Sequence, residues 1–516
     1  MAYLVFFLAI CGLIYIHYAN LTGSKSSIGK IPKAHWSVGI LPAWILWIRF
    51  QQRENEEVQK AHERCGPIVR LGPKELSINV VEGGVKTVYG SYEKHNWYKS
   101  FWNLGLPNMF TFGDFSLHSE RRRALSRIYS KTHLIHSEPL KRQNEAILYG
   151  RLTGILKKHA ETGEPLEIFG TMLSTTMDIV TAFLFGLSQS SNFLLDVEQR
   201  NLRLKQYQGR GPYAFYAQEL RGFWAIVEKL GFRLVPKAVA SDTEEFEKWI
   251  LGMCDGAQQK LYGSSSKVIA KTDEGTVYEQ LSASLKSAGR EIAGEERSAI
   301  ASEMTDHAIA GHETSGIALT YLIYLLSRES KLQRALRDEV SPLFTRCASS
   351  KELPAFETLD QLPLLHACVW EVLRLYPPIC GAQARLTPRH QNVRLGSYTH
   401  IPGGVRVSAR AFCLHRNPDV YPEPHLFQPQ RWLNKNGSVK KVNEAPEMYH
   451  WWWAFGSGGR VCLGNHFALH DIKVVVSFIY AFFETEFVSS GDMAQAEGYI
   501  GGPRGGNLMV KFKGVE

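Results

Sequence analysis

A cysteine near the carboxyl end of the chain lies in a frame of closely spaced glycines. Cys462 belongs to the run Phe455–Gly464 (FGSGGRVCLG), and a helical pattern follows from Asn465. Four glycines in ten residues are more than one turn requires, and they allow several backbone N–H groups to crowd around the sulfur. These dipoles, the start of the following helix and the Arg460 side chain all favour a thiolate over a thiol.

A thiolate in such a loop has three chemical uses. It can be a nucleophile, but the nearest base, His466, lies four residues on and is a weak candidate. It can bind zinc, but zinc takes three or four protein ligands and no other cysteine is near in sequence. An axial haem ligand explains more of the residues, because N–H groups tune the metal, Arg460 can pair with a propionate and Phe455 can cover the proximal face.

Composition removes several other classes of protein. The 59 lysines and arginines against 50 aspartates and glutamates give a net charge of +9, without a run of five or six like charges, so nucleic-acid binding is not expected. The eight cysteines are scattered and form no C-x-x-C pair, which is typical of reduced thiols facing the cytosol. A chain of 516 residues that is 44% apolar can bury a large core and still enclose a ligand pocket.

The first residues are predicted to anchor the chain in a membrane. Residues 2–19 contain no charged side chain and are long enough to span a bilayer as a helix. A cleaved signal peptide is the alternative, but no lysine or arginine precedes the apolar run, whereas several follow it. We therefore expect a single-pass anchor at 1–22, a basic linker at 23–35 and one cytosolic domain at 36–516. The apolar stretch Ile40–Ile48 is too short to span and is either interfacial or part of the core.

The remaining chain is mostly helical in pattern, with a minor β component. Helical spacing of apolar residues is found at 117–132, 139–159, 172–186, 216–230, about 295–327 and 362–376. The last of these ends at Pro377–Pro378, and the polar stretch 263–297 is predicted to be a surface loop with the start of a helix. Short β-like segments occur at Ile68–Leu71, Leu76–Val81, Val393–Leu395, Val405–Ala409 and Leu508–Phe512.

The complete pattern F-x-x-G-x-R-x-C-x-G resembles that of the cytochrome P450 family of haem-thiolate monooxygenases. The family's E-x-x-R motif is matched by Glu371 and Arg374, and its downstream Pro-x-Arg segment by Pro429–Trp432, which contains Arg431. The resemblance runs from about residue 30 to the carboxyl terminus. The segments 31–36 and 68–73 look like those of fungal members that tailor secondary metabolites.

This resemblance implies a mainly α-helical fold with a minor β-sheet region, and a role for each matching residue. Glu371, Arg374 and Arg431 are expected to form a buried structural charge network. Thr314 and Glu313, in the middle of the long helix, are the expected acid–alcohol pair of a proton relay. Cys462 is the expected axial ligand of the iron of haem b. The residues expected to contact the haem are Phe455, Gly458, Arg460, Gly464, His118, Arg122, Arg385 and Gly311.

The implied activity is the insertion of one oxygen atom from O2 into a hydrophobic small molecule at the endoplasmic-reticulum membrane. The aromatic segment Trp97–Phe115 is expected to lie over the pocket, with about half of its rings in the core. No flavin or nicotinamide fingerprint is visible, so electrons from NADPH are expected to come from a partner, the NADPH–cytochrome reductase of that membrane. Two alternatives remain open: a haem-thiolate isomerase, dehydratase or ring-forming oxidase, and a non-enzymatic haem sensor.

Overall fold

The computed structural model describes residues 27–262, 270–285, 293–347 and 351–515. The predicted anchor at 1–22, the start of the predicted linker and part of the polar stretch 263–297 lie outside these ranges. In the described part most residues are helical, in agreement with the mainly α prediction. The helices of the amino-terminal half are α1 (Ala43–Phe50), α2 (Glu54–Cys65), α3 (Lys86–Ser91), α4 (Phe115–Ser126), α5 (Lys131–Ile135), α6 (Glu138–Ile147), α7 (Thr153–Thr162), α8 (Ile168–Phe185), α9 (Val197–Gln208), α10 (Ala214–Glu219), α11 (Arg221–Lys229) and α12 (Lys237–Tyr262).

The carboxyl-terminal half contains the longest helix and the helix that follows the cysteine. Its helices are α13 (Val277–Leu285), α14 (Gly294–Leu326), α15 (Ser330–Cys347), α16 (Phe356–Asp360), α17 (Pro363–Leu375), α18 (Ala411–Leu414), α19 (Pro446–Trp451) and α20 (Asn465–Phe482). The strands of the whole chain are β1 (Ile68–Gly72), β2 (Glu75–Ile78), β3 (Glu93–Lys94), β4 (Leu166–Glu167), β5 (Ala382–Leu386), β6 (Val393–Leu395), β7 (Tyr398–Ile401), β8 (Arg406–Arg410), β9 (Phe483–Ser490) and β10 (Leu508–Gly514).

The centre of the molecule is the packing of α8 lengthwise against α14. Two glycines of α14 allow the close approach: a Cβ on Gly311 would lie 2.5 Å from a methyl of Val180, and one on Gly316 would lie 2.8 Å from a methyl of Leu173. Among the described helices, α8 is the one long and apolar enough by composition to cross a bilayer, but 89% of it is buried within the protein. It is therefore a helix of the core.

The largest sheet has the strand order β1-β2-β8-β5-β3, in which β2 and β8 are parallel and the other pairs antiparallel. Its register places Lys94 of β3 opposite Arg385 of β5. The remaining described strands form a three-stranded sheet, β4-β10-β9, and the hairpin β6-β7. Strands β3, β4, β5, β7 and β9 have no counterpart in the sequence prediction, although β5 (AQARL) does alternate apolar and polar residues.

Several predicted elements differ from the observed ones. The predicted helix 216–230 is broken at Leu220, which has φ −121° and ψ 26° and separates α10 from α11. The predicted helix 139–159 is α6 and α7, joined by a π-helical segment at Leu148–Leu152. Most of the stretch Ile40–Ile48 lies in helix α1, and it contributes Ile45 and Ile48 to the core, whereas Trp47 is 57% exposed.

A buried ionic cluster joins α1, the large sheet and α10. Arg49 of α1 pairs with Glu75 of β2 and, at 2.9 Å, with Glu219 at the end of α10. Arg406 of β8 also pairs with Glu219, at 2.8 Å. Because α10 and α11 carry few buried residues of their own, these ion pairs are a main attachment of this segment to the sheet.

Candidate active site

A cavity of about 260 Å³ separates α14 from the cysteine loop. One wall is the loop Phe455–Gly464 and the start of α20, and the opposite wall is the middle of α14. In the aromatic segment Trp97–Phe115, Tyr98, Phe101 and Phe110 reach the cavity and Trp97 packs against Tyr98 and Phe101. Fewer of its rings are in the core than expected, since only Trp97 and Tyr98 are buried. Apolar cavity residues from other segments are Ile309, Ala310, Ile379, Tyr499 and Ile500.

The cysteine loop holds its sulfur toward this cavity. The Cys462 N–H donates to the Phe455 carbonyl oxygen at 2.9 Å, which closes the loop. Gly458 has φ +71°, and a Cβ there would lie 2.3 Å from the Tyr89 carbonyl oxygen. The contact of the loop with α3 thus requires glycine at position 458. This reason is different from the crowding of N–H groups expected from the sequence.

Burial and nearby positive groups act in opposite directions on the charge state of the Cys462 sulfur. Burial raises the pKa of the Cys462 thiol to about 11, although the Gly464 N–H and the Arg122 guanidinium act in the opposite direction. Arg460 does not act on the sulfur; it donates to the carbonyl oxygens of Phe112 and Gly113, at 2.6 Å each. Without a further positive charge at this site the thiol stays protonated at neutral pH, and a metal ion is such a charge.

Three arginines at the cavity are without an anionic partner among the described residues. Arg122 donates to the Val461 carbonyl oxygen at 2.7 Å, and Arg385 donates to the Tyr98 hydroxyl at 2.9 Å. The buried Nε atoms of Arg385 and Arg460 have no hydrogen-bond partner in the described structure. Buried guanidinium groups are normally paired, so this edge of the cavity fits a ligand with carboxylate groups.

His118 and Lys94 lie at the same edge. His118 is buried and lines the cavity; burial and then Arg460 lower the pKa of its imidazole to about 3, so the ring is neutral. Lys94 was not identified from the sequence. Its Nζ donates to the Phe110 carbonyl oxygen and lies 4.6 Å from the centre of the Tyr98 ring. Burial holds the pKa of Lys94 well below its usual range.

On the opposite wall, the predicted acid–alcohol pair lies at the cavity, but the two side chains have different partners. The Thr314 hydroxyl donates to the Ala310 carbonyl oxygen at 2.7 Å, within the helix. The Glu313 carboxylate accepts from the Tyr207 hydroxyl of α9 at 2.5 Å. Gly311 also lines the cavity, and its missing side chain serves the contact with Val180 described above.

The structure brings Glu371, Arg374 and Arg431 together. Arg374 donates to both carboxylate oxygens of Glu371, at 2.9 and 2.8 Å, and Arg431 Nε donates to Glu371 at 3.1 Å. The Trp432 indole N–H adds a bond to Glu371 at 2.8 Å. Glu371 and Arg374 are 0% exposed, so the network is part of the core.

His415, which the sequence gave no reason to select, connects this network to the cysteine loop. Its Nδ1 donates to the Arg374 carbonyl oxygen at 2.9 Å, and its Nε2 accepts from the Trp453 backbone N–H at 2.7 Å. Burial lowers the pKa of His415 to about 3, which agrees with one donating and one accepting ring nitrogen. Trp453 in turn donates through its indole to Ser457 at 2.9 Å. The ion pairs therefore position the cysteine loop.

A haem is a metal centre that takes a thiolate ligand, and its two propionates make it a dianion. It therefore suits both the Cys462 sulfur, which opens into the cavity, and the unpaired arginines. The cavity therefore suits a haem with a cysteine ligand.

Comparisons with known proteins agree. The profile of the family described as Cytochrome P450 matches residues 30–498. The chain is 27% identical over 431 residues to the cytochrome P450 monooxygenase avaI of Aspergillus versicolor, covering 81% of this chain and 95% of that protein. It is 25% identical over 517 residues to the cytochrome P450 monooxygenase orf2 of Aspergillus niger, covering 97% of this chain and 95% of that protein. The cytochrome P450 monooxygenase aflV of Aspergillus parasiticus is 27% identical over 482 residues, covering 89% of this chain and 85% of that protein.

This chain belongs to the cytochrome P450 family and is an oxidoreductase of the monooxygenase type.

Proposed function

We propose that this P450 inserts one oxygen atom from O2 into an apolar small molecule, as a tailoring step in the biosynthesis of a secondary metabolite. The cavity carries this proposal, since it has Cys462 on one wall, Thr314 on the other and mostly apolar residues between them. The similarity to fungal monooxygenases supports the reaction type.

The residues at the cavity suit haem b as the cofactor. Cys462 would ligate the iron, while Arg385, Arg460, Arg122 and the neutral His118 would hold the propionates. Phe455, Gly458 and Gly464 would shape the proximal side, and Gly311 the distal side. When bound there, the haem supplies the reductive activation of O2.

The chain's own residues bind the substrate and deliver protons. Phe101, Phe110 and Tyr499 present apolar surface to the substrate and exclude water from the cavity. Burial raises the pKa of the Glu313 carboxyl, which favours its protonated form. The Thr314 hydroxyl, which now bonds to the Ala310 carbonyl oxygen, is the group that would pass this proton into the cavity.

Electrons would come from NADPH through the NADPH–cytochrome reductase of the endoplasmic reticulum. Helix α4 supports this proposal, because its Arg122 contacts the cysteine loop while Arg123 lies exposed and Arg127, which follows the helix, is exposed as well. An acidic flavin domain would meet this basic surface close to the haem. In the double variant Arg123→Glu/Arg127→Glu, we expect slower reduction by reductase and NADPH but unchanged reduction by dithionite. If reductase and NADPH reduce the double variant as fast as they reduce the wild type, the proposed docking face is contradicted.

The protein is proposed to be held at that membrane by a single-pass anchor at residues 1–22, followed by a linker at 23–35 and a cytosolic haem domain at 36–516. Exposed apolar side chains on α1 and α11 support a second contact with the lipid surface; they are Trp47, Phe50, Phe223 and Ile226. A chain that begins at Lys30 should still bind lipid vesicles, and the further change Trp47→Ser/Phe223→Ser should release it. If the truncated chain without further changes does not bind the vesicles, the second contact is contradicted.

The activity is tested with the full-length protein, reductase, NADPH and isotopically labelled O2. Metabolite extracts of a strain lacking the gene serve as the source of substrate. We expect one product that carries one labelled oxygen atom, and at least a tenfold lower yield of it with Thr314→Ala. A product formed without O2, or one labelled from water, would indicate the isomerase or dehydratase chemistry instead.

The haem ligand is tested separately by the absorption of the reduced, carbon-monoxide-bound protein. A thiolate-type Soret band is expected for the wild type, and Cys462→Ala should remove it. A band typical of a nitrogen ligand in the wild type would overturn the assignment of Cys462.

A further inference from the structure

The carboxylate of Glu313 is bound by a residue from outside α14. Tyr207, near the end of α9, donates its hydroxyl to Glu313 at 2.5 Å, and both side chains line the cavity. The Tyr207 ring is fixed by neighbours, since its centre lies 5.6 Å from that of Phe246 and 5.7 Å from that of His312. With 8% of its surface exposed, Tyr207 is a well-placed donor that the family motifs do not include.

This hydrogen bond separates the two members of the acid–alcohol pair. Glu313 is engaged with Tyr207, whereas the Thr314 hydroxyl is engaged with the Ala310 carbonyl oxygen. A proton can pass from Glu313 toward Thr314 only after the carboxyl turns from α9 toward the cavity. The strength of the bond to Tyr207 therefore affects how readily Glu313 turns.

The guanidinium group of Arg210 lies over the ring of Tyr207. Arg210, which follows α9, has its guanidinium carbon 4.5 Å from the centre of the Tyr207 ring and is half-buried. Burial raises the pKa of Glu313, and Tyr207 and Arg210 act against this effect. Other titratable groups on the elements that meet here include His312 and Asp306 of α14, Arg203 of α9 and Glu247 of α12, and Arg210 also acts on Asp306 and Glu247.

We propose that Tyr207 is a positioning residue for proton delivery, which holds Glu313 on the α9 side and, together with Arg210, sets when its carboxyl is free to turn toward Thr314. This inference rests on the proposed monooxygenase function, in which protons enter the cavity. Glu313 gives up one proton on the Thr314 side and regains one from solvent, so it is unchanged after a turnover. Because the Tyr207 side chain itself lines the cavity, a bound substrate would contact the same side chain that holds Glu313.

Infrared spectroscopy of the full-length, haem-loaded protein tests this arrangement without a substrate. The C=O stretching band of protonated Glu313 is identified as the band that Glu313→Gln removes. In Tyr207→Phe, which keeps the ring but loses the hydroxyl, this band should move to higher frequency. Its titration midpoint should rise by about one pH unit, because a donor to the ionised carboxylate has been lost.

The matched control is Tyr213→Phe, since among the described residues no hydrogen bond joins the Tyr213 side chain to α14. This control should leave the band and its midpoint unchanged. A wild-type band and midpoint in Tyr207→Phe would overturn the proposal.

A functional readout separates positioning from a general structural effect. With reductase and NADPH, the pH profile of O2 consumption should move to higher pH in Tyr207→Phe. In a Glu313→Gln background, Tyr207→Phe should cause no further shift of this pH profile, because the effect of Tyr207 acts through Glu313. An additional shift in the double variant would contradict the proposal. The carbon-monoxide spectrum of each variant reports on the haem-thiolate assignment independently, so failure of the proposed function is distinguished from failure of the role of Tyr207.

Discussion

Individual buried charges in this protein are stabilised by specific partners, and the cost of removing a partner depends on what remains. Glu371 pairs with both Arg374 and Arg431 and also accepts a hydrogen bond from Trp432. At the cavity edge, by contrast, Arg385 and Arg460 are paired with no carboxylate of the described residues, which leaves them available to a bound dianion. The same kind of side chain is thus structural in one place and ligand-binding in the other.

Substitution of Glu371 should be among the most damaging single changes. Glu371→Ala leaves Arg374 and Arg431 buried without their anion, and the loss is expected to be about 3–5 kcal/mol of unfolding free energy. Denaturant unfolding of the haem-loaded protein measures it. The control is Glu138→Ala, which breaks an exposed pair with Arg142 and should cost less than about 1 kcal/mol. Comparable losses in the two variants would show that the network is not structurally important.

Two neighbouring glycines of the cysteine loop should respond differently to alanine. Gly458→Ala introduces a methyl group 2.3 Å from the Tyr89 carbonyl oxygen at a φ of +71°, and a loss of about 1–3 kcal/mol is expected. Gly459→Ala places its methyl group in open space and should be nearly neutral. Thermal unfolding and the yield of the thiolate-type carbon-monoxide complex report the difference. Equal effects would mean that the contact with α3 does not hold the loop.

At the level of elements, the long helices and the cysteine loop follow from the sequence because their signals are local. The 3.6-residue period predicts α14, and the proline pair predicts the end of α17 close to where the structure places it. The alternating residues of β5 are a local signal that the sequence prediction did not use, but the two-residue strand β3 is determined by pairing with a distant segment. Tyr207, Lys94 and His415 were missed for the same reason, since each acquires its role from a partner far away in the chain.

The packing of α8 on α14 gives a prediction that involves both helices. Gly311→Ala favours the helix by about 1 kcal/mol, but its methyl group would lie 2.5 Å from Val180, and overpacking costs about 1–3 kcal/mol. A net loss of stability is therefore expected, measured by denaturant unfolding. The double variant Gly311→Ala/Val180→Ala should lose less than the sum of the two single variants. Strict additivity would indicate that the two residues do not compete for the same space.

For the whole molecule, the unpaired arginines predict that the fold depends on its cofactor. The haem-free protein should unfold at a lower temperature than the loaded one, and a ligand at 100 times its Kd stabilises by about 2.7 kcal/mol. Arg385→Gln should reduce this difference, because it removes one buried cation that the ligand would pair. Calorimetry of loaded and haem-free protein checks both statements. A haem-independent unfolding temperature would contradict them.

The ion pairs of Glu219 with Arg49 and Arg406 have a mechanical consequence. Helix α10 packs over the segment Asn96–Phe101, whose rings form part of the cavity wall, while Arg49 belongs to the first α-helix of the described chain. Ion pairs therefore join this part of the cavity wall to α1. In the proposed membrane-bound protein, a displacement of α1 would therefore be transmitted through Glu219 to the wall of the cavity.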